Sequence, residues 1–436
     1  MKKLLYACAI LMVLAVIAFT FYLYPRLPII NGYAAKMACS CTFLSGRSLE
    51  SVQEHELSIL PFKTSITIDP NNKNCTSHFL GLKKQTAVYK ENLGCVIIQE
   101  DDDYNVHFNL TKNESKTKIN QDSLVINDEL QDAITYSFDE GEELIKKTRT
   151  LVVLHKGKVI AERYVKGFDR DTPILGWSMC KIICNALVGI LVKQGKADVT
   201  DLTDIPEWEH DERKTISIHN LLQMQSGLEW EEVYTSIADP TRMFYIEENA
   251  PKYAYSKMLE RTPGTHWIYS SGTTNILSFW LRRQFESHQD YLIFPYKELF
   301  EPLGIQSATL ETDEAGNYVL SSYAHMTTRD WAKLGQLYLD DGIWNGKRIL
   351  PEDWVNYSTT PAEHAENGVY GAHFWLNTQQ EKYPNVPTDM YYFAGFQGQR
   401  VFIIPSEELV IARTGLADES SFDMNKMIQM IISSVN

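Results

Sequence analysis

Charge is missing from one stretch of this chain, and positive charge is scarce over the whole of it. No Asp, Glu, Lys or Arg occurs from Leu4 to Tyr24, a run matching the roughly twenty apolar residues that span a bilayer. Elsewhere 41 Lys and Arg face 56 Asp and Glu, a formal net charge of −15. Nucleic-acid binding draws most of its affinity from cations on phosphates, so that class of partner is set aside. No His-Glu-x-x-His occurs, and His364 and His373 stand apart among loop residues, which argues against a zinc enzyme. With 44% hydrophobic residues over 436 positions, the chain can bury the core of one large domain or two medium ones.

The apolar run follows Lys2 and Lys3 and ends in bulky Phe21, Tyr22, Leu23 and Tyr24. A cleaved signal has a shorter apolar segment and small residues at its cut site. Residues 1–24 are therefore expected to stay as a transmembrane anchor, with the cationic end inside and the rest outside the cytoplasm. Cleavage would make the protein secreted instead. Seven cysteines are present, and four of them, Cys39, Cys41, Cys75 and Cys95, follow the apolar run within the first hundred residues. Outside the cytoplasm a Cys39–Cys95 disulfide is permitted, and reduced, buried thiols are an equal alternative. Asn74, Asn109, Asn113 and Asn356 lie in N-x-S/T sequons, which mark polar surface and accept glycans only in a glycosylating host.

Residues 25–125 read as an extension or small module, with strand-like runs at 65–68 and 95–98 broken by Pro70-Asn71-Asn72 and by the acidic stretch 100–103. From Ile126 to Asn436 the pattern sharpens. Leu130, Ala133, Ile134 and Phe138 have helical spacing, and a hairpin follows around Lys156-Gly157. Ile182, Ala186, Leu187, Ile190 and Leu191 form a strongly apolar helix ended by Gly195, and another helix carrying Leu221, Leu222 and Met224 closes at Ser226-Gly227. Strands are expected at 391–395, 399–404 and 409–413, then a last helix bearing Met424, Met427, Ile428 and Ile431. Strands from both ends of this domain predict one antiparallel sheet covered by helices, an α/β fold of the α+β kind.

Chemistry concentrates at Trp177-Ser178-Met179-Cys180-Lys181. Residues three apart on a helix share a face, so the Lys181 amine reaches the Ser178 hydroxyl. The helix N-terminus favours an anion there, and Ile182 and Ile183 desolvate the amine, which suits it to act as a base. A second Ser-x-x-Lys, at Ser115 and Lys118, lies in polar, sequon-bearing sequence with no such context. The bland alternative makes Ser178 a helix cap and Lys181 a side chain reaching solvent. Tyr269-Ser270-Ser271, on a loop before a helix starting near Thr274, offers a phenol to relay a proton, or else a core tyrosine. Tyr392 to Gln399 is a Gly-punctuated strand end that a substrate backbone can approach, or else a bulged hairpin. Trp177, Trp267 and Trp375 are candidates for an apolar pocket, and packing roles serve them equally well.

In this order, Ser178-x-x-Lys181, Tyr269-x-Ser271 and a Gly-bearing C-terminal strand, the chain resembles the serine β-lactamase and penicillin-binding-protein superfamily. It looks closest to the class C-related branch, which holds esterases, D-aminopeptidases and 6-aminohexanoate-dimer hydrolases. The segments 216–228 and 326–330, with Leu337, Gly342 and Trp344, look like further landmarks of that family. The resemblance implies a β-lactamase-like antiparallel sheet flanked by helices, plus a helical subdomain. It also implies a small-molecule amide or ester substrate, no cofactor or metal, an acyl-enzyme on Ser178, and proton transfer shared by Lys181 and Tyr269. The Ser178 and Phe396 backbone N–H groups would form the oxyanion hole.

Two positions depart from class C β-lactamases. Ser271 replaces Asn, and Phe393-Ala394-Gly395 replaces Lys-Thr-Gly. Without that cation a substrate carboxylate loses an anchor, so a neutral amide or ester fits better than a β-lactam. Ser271, Ala394 and Gly395 become supporting or substrate-binding residues. Arg413-Thr414-Gly415 imitates Lys-Thr-Gly by letter, but too little chain follows it for two strands and a helix. Two other readings compete: an α/β-hydrolase, since Gly176 to Cys180 is one letter short of Gly-x-Ser-x-Gly, and a non-catalytic ligand-binding module on the same fold.

Overall fold

A computed structural model describes residues 2–99, 106–110, 127–141, 145–417 and 420–435. The acidic stretch 100–103, the sequon at Asn113, the Ser115/Lys118 string and the boundary at Ile126 lie outside the described residues.

The main sheet has six antiparallel strands, in spatial order Trp375–Leu376, Tyr391–Gly395, Gln399–Ile404, Leu409–Gly415, Thr148–His155 and Lys158–Tyr164. The last strand of the domain thus pairs with the first, Val410 opposite Leu154 and Ala412 opposite Val152, as the apolar patterns at both ends predicted. Period-two alternation sends Leu151, Val153, Phe402 and Ile411 to one face and Val152, Val401, Ile403 and Val410 to the other. Both faces are apolar, so both must be covered. Helices Asp128–Tyr136 and Met424–Val435 cover the first. Helix Thr328–Leu339 covers the second, and Gly335 lets it sit so close that a Cβ there would lie 2.8 Å from Val401 and Val410. Each fully buried side chain contributes about 1.5–3 kcal/mol.

Behind that helix the apolar helix Lys181–Lys193 is buried from Lys181 to Leu191. A short three-stranded sheet holds Ile174–Leu175 against Ala324–Met326. A short strand does precede Ser178, but it is antiparallel and outside the main sheet. The parallel sheet that an α/β-hydrolase requires is absent among the described residues.

The N-terminal segment holds more helix than expected. Helical backbone runs from Lys2 through a π-turn at Phe19–Leu23 and a 3-10 turn at Tyr24–Arg26 into helix Leu27–Phe43. By length and composition Lys2–Phe43 contains a candidate membrane span, whose apolar window is wholly exposed. The second helix lies on a four-stranded antiparallel sheet, Ser65–Asp69, Asn74–Phe79, Leu82–Lys90 and Gly94–Ile98. A Cys39–Cys95 disulfide ties helix to sheet. This module packs on the rest of the chain through the buried Glu311 carboxylate, which accepts from Lys36 Nζ at 2.6 Å, Ser40 Oγ at 2.8 Å and the Cys95 N–H at 2.7 Å. A second buried cluster, Arg47 and Arg149 on Glu56, closes the same seam.

Candidate active site

Ser178 lies in a 3-10 turn, Trp177–Cys180, that feeds the buried helix at Lys181. Trp177, just before it, holds φ of 50°, a left-handed conformation disfavoured for a bulky residue. Packing imposes it: the indole stacks on Tyr33 of the N-terminal helix at 6.4 Å and 7°, and meets Phe396 edge-on at 5.7 Å. A Cβ on Gly395 would fall 2.1 Å from the Gly176 carbonyl oxygen. Only glycine therefore lets the third motif's strand close against the Ser178 turn.

Lys181 is 1% exposed. Its Nζ lies 3.3 Å from Ser178 Oγ, 3.1 Å from Ser271 Oγ and 3.1 Å from the Ser321 carbonyl oxygen. The Tyr269 ring lies under the amine, with its centroid 4.9 Å away. Contact between Tyr269 and Lys181 is thus through the ring face. Helix Ser271–Arg283 begins at Ser271, three residues before the expected start, because the Ser270 side chain caps it by accepting the Thr273 N–H. Ser271 is therefore in the first turn, aimed at Lys181.

Three features of the site escaped the sequence reading. The first is Glu232, whose Oε1 accepts from Ser271 Oγ at 2.5 Å and Tyr234 OH at 2.6 Å, while Oε2 accepts the Ser271 N–H at 2.9 Å and the Trp230 indole N–H. A hydrogen-bonded path thus runs from Lys181 through Ser271 to a carboxylate. In sequence Glu232 hides among Glu229 and Glu231, and nothing local separates it from solvated surface. The second is His373, which is buried and not on an open loop. Burial, helped by Lys181, pushes it down to about 3, so the ring is neutral. Its Nδ1–H donates to the Lys181 carbonyl at 2.8 Å, and Nε2 accepts from Thr274 Oγ1 at 3.2 Å.

The third is the set of side chains holding the turn Phe396–Gly398. Arg400 Nη1 donates to the Gly395 and Gln399 carbonyls, both at 2.8 Å. Gln399 Nε2 reaches the Phe396 and Gln397 carbonyls at 3.2 and 3.5 Å, and Arg413 Nη1 the Gly398 carbonyl at 2.7 Å. All three side chains are buried. Five successive carbonyls are thereby held from behind, which fixes the peptide plane carrying the Phe396 N–H. Arg413 also binds Thr148 and Lys146 and is absent from the cavity lining, so Arg413-Thr414-Gly415 is a brace of this turn.

A cavity of about 440 Å³ opens at Ser178, lined by Tyr234, Tyr269, Trp375, Tyr392, Ala394, Gly395, Phe396 and Arg400 among others. Among the sequence candidates, Ser178, Tyr269, Trp375, Ala394, Gly395 and Phe396 meet there, with Lys181 and Ser271 behind. Trp177 and Trp267 do not line it. Trp177 is packed beneath the Ser178 turn, and Trp267 meets Trp375 edge-on and Tyr370 at a tilt. Two cations that the sequence does not single out, Lys382 and Arg400, also line the cavity. Arg400 pairs opposite Ala394, whereas Phe393, in the place of the family lysine, is 1% exposed between Trp331 and Phe374.

Residues 143–424 match the family model described as Beta-lactamase, a span containing every side chain of the cavity. The chain is 27% identical over 241 residues to a 6-aminohexanoate-dimer hydrolase of Paenarthrobacter ureafaciens, covering 51% of this chain and 60% of that protein's length. Among solved structures, a Bacillus anthracis chain provisionally named for the same hydrolase superposes with a TM-score of 0.54 at 22% identity, over 66% of this chain and 78% of that one. A family VIII carboxylesterase also gives 0.54, at 16% identity, over 70% of this chain and 96% of that one. These two likenesses concern the fold alone. Together the family match, the antiparallel sheet and the order of the motifs establish that this chain belongs to the beta-lactamase family of serine hydrolases.

Proposed function

We propose that the chain is a membrane-anchored serine hydrolase that cleaves an amide or ester through an acyl-enzyme on Ser178. The observation that carries this reading is the 3.3 Å approach of the buried Lys181 Nζ to Ser178 Oγ at the edge of the cavity. A neutral Lys181 amine takes the Ser178 proton as Oγ attacks the carbonyl carbon, and the resulting oxyanion receives the Ser178 and Phe396 N–H groups. The proton then passes, with the Tyr269 phenol, to the leaving amine or alcohol as its bond to the acyl carbon breaks. Water, activated the same way, releases the acid and restores Ser178. The buried Phe393 ring, standing where the family carries lysine, supports a neutral substrate in preference to a β-lactam; of the two cations that line the cavity, Lys382 and Arg400, the latter has Nη1 committed to backbone carbonyls.

Anchoring is supported by the helix itself. The apolar run passes directly into Leu27–Phe43, which is buried from Ile30 to Cys41 and forms part of the core. Such an anchor would hold the catalytic region outside the cytoplasm. The test is hydrolysis of short nitrophenyl esters, D-amino-acid amides, linear amides and nitrocefin by the wild type and Ser178→Ala. Turnover of an ester or amide that Ser178→Ala abolishes supports the reading. Turnover that survives the substitution, or no turnover of any of the four, counts against it.

A further inference from the structure

The bilayer anchor has a neighbour. Just past the span, the Tyr24 ring lies under Lys83 Nζ, 4.8 Å from ring centroid to nitrogen. Two turns further on, Asn31 Nδ2 donates to the Lys83 carbonyl at 2.6 Å and the Leu82 carbonyl at 3.2 Å. These contacts pin the tip of the hairpin formed by Asn74–Phe79 and Leu82–Lys90 beside the point where the helix leaves the span. The opposite end of the sheet holds Cys95, paired with Tyr89 and bonded to Cys39, and there Glu311 joins the catalytic region. From Asn31 to Cys39 the helix climbs about 12 Å. The module therefore stands with its hairpin tip toward the bilayer and its docking end away from it.

The tip has the chemistry of a membrane surface contact. Leu80 is 76% exposed and holds φ of 51°, followed by Gly81 at 75°, so a left-handed turn projects an apolar side chain into open space. Phe62 and Phe79 rings pair behind it at 4.3 Å. Exposed Lys83 and Lys84 follow the turn, and exposed Lys63 lies two residues before Ser65, which pairs with His78. Three lysines around one exposed leucine form a basic, apolar point on a chain of net charge −15. Aromatic and cationic residues at the span's end, Tyr22, Tyr24 and Arg26, are of the types found at the headgroup level.

We propose that this hairpin tip is a second membrane contact: Leu80 enters the headgroup boundary, and Lys63, Lys83 and Lys84 meet the phosphates of anionic phospholipids. Together with the span it fixes how the catalytic cavity is turned relative to the bilayer. The inference rests on the anchor reading, and its test separates the two.

In a Cys8→Ala background of the full chain, single cysteines at Met12, Leu80 and Lys156 are labelled with an environment-sensitive fluorophore. Each labelled protein is reconstituted in phosphatidylcholine vesicles containing phosphatidylglycerol, and quenching by nitroxide-bearing lipid is read. Retained fluorophosphonate labelling shows that each variant is folded. Quenching at Leu80→Cys several-fold above that at Lys156→Cys, reduced by Lys83→Glu with Lys84→Glu, is the expected result. Strong quenching at Met12→Cys with none beyond the Lys156→Cys level at Leu80→Cys overturns the proposal and leaves the anchor standing. No quenching at Met12→Cys removes the anchor, and this contact with it. Unchanged quenching after charge reversal overturns the assignment of the lysines to lipid phosphates.

Discussion

Lys36 and Lys181 are both 1% exposed, and each ammonium faces an aromatic ring, Tyr323 at 4.5 Å and Tyr269 at 4.9 Å. Their partners differ. Lys36 is paired with a carboxylate, Glu311, and hydrogen-bonds the Cys95 carbonyl. Lys181 faces two hydroxyls and one carbonyl, and one of those hydroxyls, Ser271, links it to the Glu232 carboxylate. Lys36 and Glu311 form a buried ion pair, so removing either partner would strand the other in the interior. The two lysines thus share burial and a ring contact but not a partner, and under the proposed mechanism that partner separates a structural cation from a base.

Substitutions that remove each cation should therefore separate stability from activity. Lys181→Met is expected to lower kcat by about a thousandfold or more with little change in thermal midpoint. Lys36→Met should do the reverse, since Glu311 is left buried without its partner: a loss of about 3–5 kcal/mol in stability by denaturant titration, with ester turnover per folded molecule kept. A large loss of activity at equal stability in Lys36→Met would break the comparison.

Reduction of the Cys39–Cys95 disulfide, which closes a loop with a sequence separation of 56, acts on the structural side. It should cost about 2–4 kcal/mol, read as a lower midpoint after dithiothreitol. On the catalytic side, Gln399→Ala frees the Phe396 and Gln397 carbonyls. Turnover should fall about tenfold through kcat while KM holds, because a loosened donor acts in the transition state.

Acid acts on the same seam as the disulfide. Burial alone would raise the Glu311 carboxyl, but Lys36 and His325 overcome it and hold it at about 2, below its ordinary 4.5. A depressed carboxylate gives stability that is complete above the ordinary value and is lost as pH falls through the folded one. The midpoint should therefore decline from about pH 4.5 toward 2, and Glu311→Gln should flatten that slope.

The sheet was readable because β-branched residues at 151–154 and 401–411 alternate onto two covered faces. Helix Lys181–Lys193 was readable because its apolar spacing meets a Ser-x-x-Lys. Cys39 and Cys95 were paired correctly from a choice that composition left open. Helix Leu27–Phe43 was not foreseen: it is buried on nearly every side, so no polar stripe marks its period. Glu232, His373, Gln399 and Arg400 were missed for a different reason. Glu232 and His373 act through partners distant in sequence, Ser271 and Lys181, which only the fold brings together; Gln399 and Arg400 hold carbonyls of their own turn, whose meeting with Gly176 likewise depends on the fold.

The central proposal is a nucleophilic Ser178 beside a proton-accepting Lys181. The most direct measurement is peptide mapping by mass spectrometry after treatment of the full chain with a fluorophosphonate. The account predicts one phosphonylated serine, Ser178, and loss of the adduct in Lys181→Met. An adduct on Ser271 or on Ser115, or a Lys181→Met protein labelled as fast as the wild type, would contradict it.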